Sequence, residues 1–307
     1  MKKTIGLVDV STILHNIRLS TQNSNFVELF SYISQLKHDL VLDEVILVQD
    51  WGKSSYRNEI YPDYKGHRGK RELSDKELEK LKEMKVWNDN LYLFNQVYPS
   101  IKIQNVEADD IIGMLFSKFK DTFEIICISL DKDFQTVIPL NSLYNWKKKQ
   151  YFTYEDRYEL SQGKFIMLQT LIGDKADNIH SFCGLKTALV LLDNFKNFPE
   201  MIEFKGEVKD LNGVTPHNKR YVEKALEEIK TEEGYAKLKL NHSLISIFKD
   251  TSKLTASQLL EFEKACEMIS ALEYKDKSDK LIVSKELEEF LWEQNCLEVI
   301  EILEDSL

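Results

Sequence analysis

Three short β-branched runs each deliver a carboxylate at their carboxyl end. Ile5-Gly6-Leu7-Val8 runs into Asp9, Val45-Ile46-Leu47-Val48-Gln49 into Asp50, and Ile125–Leu130 into Asp131, with Asp133 two residues on. A fourth group, Val106-Glu107-Ala108-Asp109-Asp110, stands directly before an apolar-periodic segment, and Gly173-Asp174-Lys175-Ala176-Asp177-Asn178 follows another. Each position alone has an ordinary explanation. An Asp after a strand is a turn residue, and acids at a helix start cap its amides and oppose its dipole. Asp174 and Asp177, three apart, would face the same way on a helical turn, as first-turn acids do. Together, however, the nine acids make a cluster whose mutual repulsion costs stability unless a cation neutralises it. All-oxygen ligation favours magnesium or manganese over zinc. The histidines (His15, His38, His67, His180, His217 and His242) are scattered, with no zinc-hydrolase spacing.

The elements that would bring these acids together can be read from periodicity. Short β-branched runs of this kind are buried in parallel sheets, and in open parallel sheets the ligand site lies beyond the carboxyl ends of the strands. Ile101 and Ile103 mark a fourth strand, and Ile111, Ile112, Leu115, Phe116 and Phe119 form one apolar helix face. After about residue 160 the strand signal fades. Helical patches follow around Phe165–Ile172, Leu189–Phe195 and Tyr221–Ile229. The expected fold is therefore α/β with a mostly parallel central sheet, followed by helices. The segment 52–85 is polar, mixed in charge and too long for an ordinary connection, which points to a functional excursion; a solvated surface helix is the competing reading.

A chain of 307 residues, 43% hydrophobic and 30% charged, is globular and long enough for one large domain, or one plus a smaller lobe. No run approaches the ~18 apolar residues needed to cross a bilayer, and Asp9 interrupts the basic start before a signal-peptide core develops. Cys127, Cys183, Cys266 and Cys296 stand far apart, which fits a reducing, cytoplasmic setting rather than a disulfide or zinc framework. There is no Gly-x-Gly-x-x-Gly, no P-loop and no Gly-x-Ser-x-Gly. Asp9-Val10-Ser11-Thr12 suggests an aspartyl-phosphate nucleophile only superficially, because the second Asp such a site carries is Ser11 here.

The net charge of −10 argues against a nucleic-acid partner only until it is divided along the chain. Residues 255–307 hold fourteen acids against five lysines, which leaves −1 for residues 1–254. Setting aside the nine clustered acids turns that first part into a body of +8. Between residues 53 and 71, Lys53, Arg57, Lys65, Arg68, Lys70 and Arg71 face only Glu59 and Asp63, a local balance of +4 that suits phosphate contact. Lys147–Lys149, beside Trp146, is open to two readings, a second backbone contact or a solvated turn.

Six motifs in register resemble the 5′-nuclease (flap endonuclease) family, closest to its phage ribonuclease H-type members, a family that also includes the 5′→3′ exonuclease domain of bacterial DNA polymerase I. They are Leu7-Val8-Asp9, Gln49–Ser54, Tyr64–Arg68, Val106–Asp110, Ile128–Phe134 and Gly173–Asn178, spread over roughly residues 5–195. The resemblance implies a PIN-like fold with a nuclease domain at 1–160, a helical arch at about 52–98 and a helical lobe at 161–307. Within that lobe it implies a helix-hairpin-helix-like DNA-binding segment near 164–195, followed by acidic C-terminal helices. It further implies two-metal phosphodiester hydrolysis with two magnesium or manganese ions. Glu107, Asp109, Asp131 and Asp133 resemble the tighter site, with Asp50, Asp110 and Asp9 near it, some through water, and Asp174 and Asp177 the second site.

In the same resemblance Lys65 and Arg68 set positive charge against the scissile phosphate, and Lys53, Arg57, Lys70 and Arg71 contact nucleic acid. Tyr64 is read either as a base-stacking residue or as a packed arch residue. Lys186 and Thr187 resemble helix-start phosphate contacts. The stretch His180–Ala188 departs from the family pattern: it is shorter than the usual hairpin and keeps one glycine, Gly184, which puts the family's potassium site in question. The implied partners are branched or 5′-ended DNA and RNA–DNA hybrid, cut to leave a 5′-phosphate during primer removal, by a monomer with no membrane association. The apolar pattern Leu287, Phe290, Leu291, Val299, Ile300 and Leu303 in the acidic end reads first as packed helix with a solvated face, with docking of a single-strand binding protein or clamp as the second reading. A non-catalytic nucleic-acid-binding protein on the same fold, and a small-molecule phosphatase, are the competing readings. Intact motifs oppose the first and the basic excursion opposes the second.

Overall fold

The computed structural model describes residues 2–17, 25–66, 74, 78, 82, 85–86, 89–95, 97–274, 283–293 and 297–305. Six strands form one sheet: β1 (Thr4–Asp9), β2 (Glu44–Val48), β3 (Ser100–Ile101), β4 (Glu124–Ile128), β5 (Leu143–Asn145) and β6 (Gln150–Tyr151). Their order is β3-β2-β1-β4-β5-β6, and only the β5–β6 pairing is antiparallel. The chain moves outward from β1 in both directions, so the order reverses between β1 and β4, where open α/β sheets place their ligand crevice. Register sets the acids there: Val8 pairs with Leu47 and Ile128, so Asp9, Asp50 and Asp131 all leave the same end of the sheet.

Period-two alternation sends the strand side chains to two cores. Ile5, Leu7, Ile46 and Val48 meet the helix Ala108–Phe119 and the helix Ala256–Leu272. Val8, Val45, Leu47, Ile126 and Ile128 meet the helices Val10–Ile17, Asn25–Asp39, Lys285–Glu293 and Val299–Asp305. The expectation that everything after residue 160 forms one helical lobe is corrected here. A separate core binds the helices Gln162–Ile172, Leu185–Asn194, Phe198–Glu203, Lys219–Lys230 and Glu232–Ile245. From Ile247 onward the chain returns to the sheet, because the apolar faces of its later helices cover strand faces that are otherwise bare. Leu287, Phe290, Leu291, Val299 and Leu303 are all buried in this way, which is the packed helix with a solvated, acidic outer face that the sequence pattern predicts.

The arch expected at 52–98 is described only at its two ends. Ser54 caps the helix Ser55–Ile60 by accepting from the Arg57 amide, a turn follows to residue 66, and residues 67–73, with Arg68, Lys70 and Arg71, lie outside the described residues. At the return end Leu91, Phe94, Val97 and Tyr98 join the second sheet core, and the Tyr92 hydroxyl donates to Glu286 at 2.7 Å. The fourth strand stops at Ile101, with Ile103 buried just beyond it. Lys147–Lys149 form the turn of the β5–β6 hairpin, where the Lys148 ammonium pairs with Asp156 at 3.0 Å. Among the described residues no helix is long and apolar enough to cross a membrane.

Candidate active site

A cleft at the carboxyl end of β1, β2 and β4 gathers Asp9, Asp50, Glu107, Asp109, Asp131, Asp133, Asp174 and Asp177, eight of the nine acids singled out in the sequence. Several of them are held by donors from other elements. Asp9 ends β1 and accepts from the Ser129 hydroxyl at 2.9 Å. Asp50, just past β2, accepts from the Ala108 amide at 2.8 Å and the Ser11 hydroxyl at 2.7 Å, so it caps the helix that carries Asp109. Asp131 caps the 3-10 turn Lys132–Thr136 by accepting from the Asp133 amide at 2.8 Å, while its own amide donates to Ser129 at 3.0 Å. The Ser129 hydroxyl thus ties the ends of β1 and β4 together. Asp133 accepts from Gln169 Nε2 at 3.0 Å, a contact from the first helix of the lobe.

Asp174 and Asp177 reach the cleft differently from the expectation of a helical turn. Gly173, at φ +62°, ends the helix Gln162–Ile172, and Asp174 pairs with Ile179 in an antiparallel bridge, so the six residues form a tight hairpin closed by left-handed Asn178. A Cβ on Gly173 would lie 2.2 Å from the His180 carbonyl oxygen, so glycine is required on both conformational and steric grounds. The hairpin keeps both carboxylates on the cleft side. Lys65, itself left-handed at φ +53°, is fixed by its amide on the Asp177 carbonyl at 3.1 Å. Its ammonium lies 2.5 Å from Glu107 Oε1 and 3.9 Å from Asp177 Oδ2.

Crowding of like charges shows in the acidities. Burial first, then the charge of Asp50, pushes Asp9 up to about 7 against the help of Ser129. Burial and Asp131 push Asp133 up to about 7. Asp109 is driven well above the carboxylate range by burial and by neighbouring Asp110, and burial raises Asp131. Burial also opposes ionisation of Glu107, but Arg57 and Lys65 outweigh it and hold this carboxyl below its ordinary value. A cluster of hard oxygen donors that is hard to keep ionised by itself, with a lysine ammonium drawn in between two of its members, fits a divalent cation site. Oxygens of Glu107, Asp109 and Asp110 come within 4.8 Å of one another.

Two sequence expectations, Arg57 and Thr187, are corrected, and two others are narrowed. Asp110, expected close by the tighter site, stands next to Glu107 and Asp109 but is 0% exposed behind the cleft wall; both its oxygens bond the Arg57 guanidinium, and Oδ1 also accepts the Phe248 amide at 3.0 Å. Arg57 is 1% exposed and committed to internal carboxylates and carbonyls, so it offers no nitrogen to a nucleic acid. Tyr64 is the packed residue of its two readings, buried with its hydroxyl donating to Glu107 at 3.1 Å. Thr187 is turned into the lobe core, whereas Lys186 beside it, on the first turn of Leu185–Asn194, is exposed, as is Lys53 on the loop after β2. Sequence reasoning missed Ser129 and Gln169. Both are single neutral residues whose roles depend on contacts between distant segments.

Comparison with known proteins gives the same picture. Residues 15–162 match the family described as 5′-3′ exonuclease, N-terminal resolvase-like domain. A 5′-3′ exonuclease of Buchnera aphidicola subsp. Schizaphis graminum is 30% identical over 224 residues, covering 64% of this chain and 72% of the relative. DNA polymerase I of Bacillus caldotenax is 28% identical over 235 residues, 68% of this chain, which spans only 25% of that longer enzyme. Among solved structures, bacteriophage T5 flap endonuclease in a complex with DNA and metal ions superposes with a TM-score of 0.71 at 19% identity, over 89% of this chain and 100% of that one. At that identity the likeness is one of fold.

Proposed function

Because the chain belongs to the 5′-nuclease family of 5′-3′ exonucleases and flap endonucleases, we propose that it hydrolyses phosphodiester bonds at the 5′ ends and flaps of branched DNA and of RNA–DNA hybrids. The observation that carries this reading is the convergence of eight carboxylates from three strand ends, one helix start and one hairpin on a single cleft that Lys65 crosses. Glu107, Asp109, Asp131 and Asp133 would hold a tighter magnesium or manganese ion, with Asp9 and Asp50 adjacent, and Asp174 and Asp177 a second ion. Bound there, such ions activate water and draw charge from the leaving oxygen and the phosphoryl group. Removal of replication primers, with a 5′-phosphate left on the product, is the role this chemistry suits.

The protein's own groups do the positioning. Ser129 fixes Asp9 and the start of the Asp131 turn, Gln169 aims Asp133, and Ser11 with the Ala108 amide holds Asp50. Lys65 would set a positive charge where the scissile phosphate must come, anchored as it is to both Glu107 and Asp177. Exposed Lys53 and Lys186 would contact the phosphate backbone on either side, the latter from the helix pair we take as the duplex-binding segment. Arg68, Lys70 and Arg71 complete that basic surface in the proposed arch.

The test is cleavage of a labelled 5′-flap duplex in magnesium. Wild type should cut and lose activity on chelation, and Asp131→Asn should fall by at least two to three orders of magnitude, as removal of a central charge-handling group does. Cutting by the variant at the wild-type rate would sink the ligand assignment. Salt-sensitive flap binding without cleavage by wild type would instead make the protein a binding module.

A further inference from the structure

Arg57, 1% exposed and the largest fully buried side chain among the described residues, is withdrawn from the nucleic-acid contact that the sequence suggested. A guanidinium is buried at high cost unless its donors are matched and its charge is paired. Here every nitrogen is used. Nη1 donates to Glu107 Oε2 at 3.0 Å and also to Asp110. Nη2 donates to Asp110 Oδ1 at 3.0 Å and to the Ser246 carbonyl at 3.4 Å. Nε donates to the Leu244 carbonyl at 2.8 Å. The Phe248 ring covers the guanidinium at 5.4 Å.

Neutralising Arg57 would take only one carboxylate, and Asp110 supplies it. The bond to Glu107 is therefore additional, and it falls on a residue that faces the cleft. Arg57 and the Tyr64 hydroxyl both hold Oε2, which leaves Oε1 turned toward Lys65 and the other acids. On its far side Arg57 grips carbonyls at the end of the lobe helix Glu232–Ile245, where the helix dipole favours a cation.

We propose that Arg57 is a positioning residue of the nuclease: it fixes the Glu107 carboxylate for metal binding and makes that geometry depend on the seating of the helical lobe. The proposal rests on the metal-site reading given above. It also explains the composition of the pair, since a lysine could neutralise Asp110 but could not bond two carboxylates and two carbonyls from one planar group.

The test measures Mn2+ affinity of DNA-free protein by calorimetry or spin-resonance titration, alongside melting temperature and single-turnover cleavage. In Arg57→Lys the charge is kept, so any change reports geometry. Mn2+ affinity should fall on the order of ten- to a hundredfold, the range seen when outer partners of metal ligands are removed. The double variant Arg57→Met/Asp110→Leu removes the buried pair as a unit and keeps the net charge. Its melting temperature should return toward wild type while Mn2+ affinity stays low. A folded Arg57→Lys or double variant that binds Mn2+ within twofold of wild type overturns the proposal and leaves Arg57 as a mere partner for Asp110. If Arg57→Lys does not fold, the double variant decides alone. If the double variant does not fold, Arg57→Lys decides, and the loss of fold in both, reversed by neither charge nor apolar packing, also overturns it in favour of a purely structural role. Failure of wild type itself to bind Mn2+ would strike the metal-site reading, a separate outcome that removes the premise.

Discussion

Replacing Lys65 by Met should bind divalent ions more tightly and cut more slowly, two effects of opposite sign from one substitution. The Lys65 ammonium sits 2.5 Å from Glu107 Oε1 and 3.9 Å from Asp177 Oδ2, with 23% of its side chain exposed and 9% of that of Glu107. Its backbone is pinned to the Asp177 carbonyl at 3.1 Å. It therefore stands where a cation shared by those two carboxylates would be drawn, and an arriving ion must detach it from Glu107. A hydrogen bond to a charged group is worth ~1.5–3 kcal/mol, so its removal should raise Mg2+ or Mn2+ affinity about ten- to a hundredfold. Part of that gain would come from lost repulsion at a distance. Lys132→Met, which removes another cation lining the same cleft, measures that part. The assay is calorimetric metal titration at fixed ionic strength, followed by single-turnover cleavage of a 5′ flap at saturating metal. The cleavage step should slow by ~10²- to 10³-fold, as when one donor to a developing charge is lost, while DNA affinity falls far less because many cations share it. Metal affinity in Lys65→Met no higher than in Lys132→Met would refute the competition, and DNA affinity falling as steeply as rate would refute the catalytic placement.

Three further outcomes follow from the same geometry. Asp9 and Asp133 are both pushed up to about 7 by burial and by neighbouring carboxylates, so the metal-free folded state holds these protons more tightly than the unfolded chain. Their stabilising contribution is complete below about pH 4 and is lost as pH rises through about 7. Calorimetry in EDTA should accordingly show a higher melting temperature at pH 5.5 than at pH 8, and saturating Mg2+ should close the gap; a flat or inverted profile in EDTA would contradict the crowding argument. Gly173→Ala combines a left-handed φ of +62° with a Cβ 2.2 Å from the His180 carbonyl, so denaturant midpoints should report a loss of ~2 kcal/mol or more together with weakened metal binding through Asp174. Gln169→Leu removes the 3.0 Å bond to Asp133 and should slow cleavage at least ~10-fold with flap affinity unchanged; wild-type cleavage would show that Asp133 needs no such guide.

The strand-end acids were legible in the sequence because a β-branched run followed by Asp fixes both an element and the end of it where the side chain emerges. Asp9, Asp50 and Asp131 then converge through sheet register alone. The acids at 109 and 110 could not be separated in that way. They are neighbours on one helix, about 100° apart, and only the packed lobe decides that one faces the cleft and the other faces Arg57. Charge along a chain suggests Arg57 as a phosphate contact because it says nothing of which cations find buried partners; its partners lie 50, 53, 187 and 189 residues away. The same distance hides Gln169 and Ser129. Spacing of three suits a helix turn and a tight hairpin equally for Asp174 and Asp177, and the bridge to Ile179 chooses the hairpin. Short strands such as β5 and β6, three and two residues long, carry too little alternation to be read at all.

The return of the chain to the sheet after residue 247 has a consequence for how the enzyme is made. Its two sheet cores include side chains at 247–272 and 287–303, so on a ribosome the first strands emerge long before the helices that cover them. Arg57 waits equally long for the Leu244 and Ser246 carbonyls, and its partner Asp110 for the Phe248 amide. Such distant pairings fold slowly and leave apolar surface open meanwhile. A nascent chain halted in the lobe therefore carries every acid of the cleft yet lacks the contacts that aim Glu107, so nucleic acid meets the blade only once it has been set in its handle.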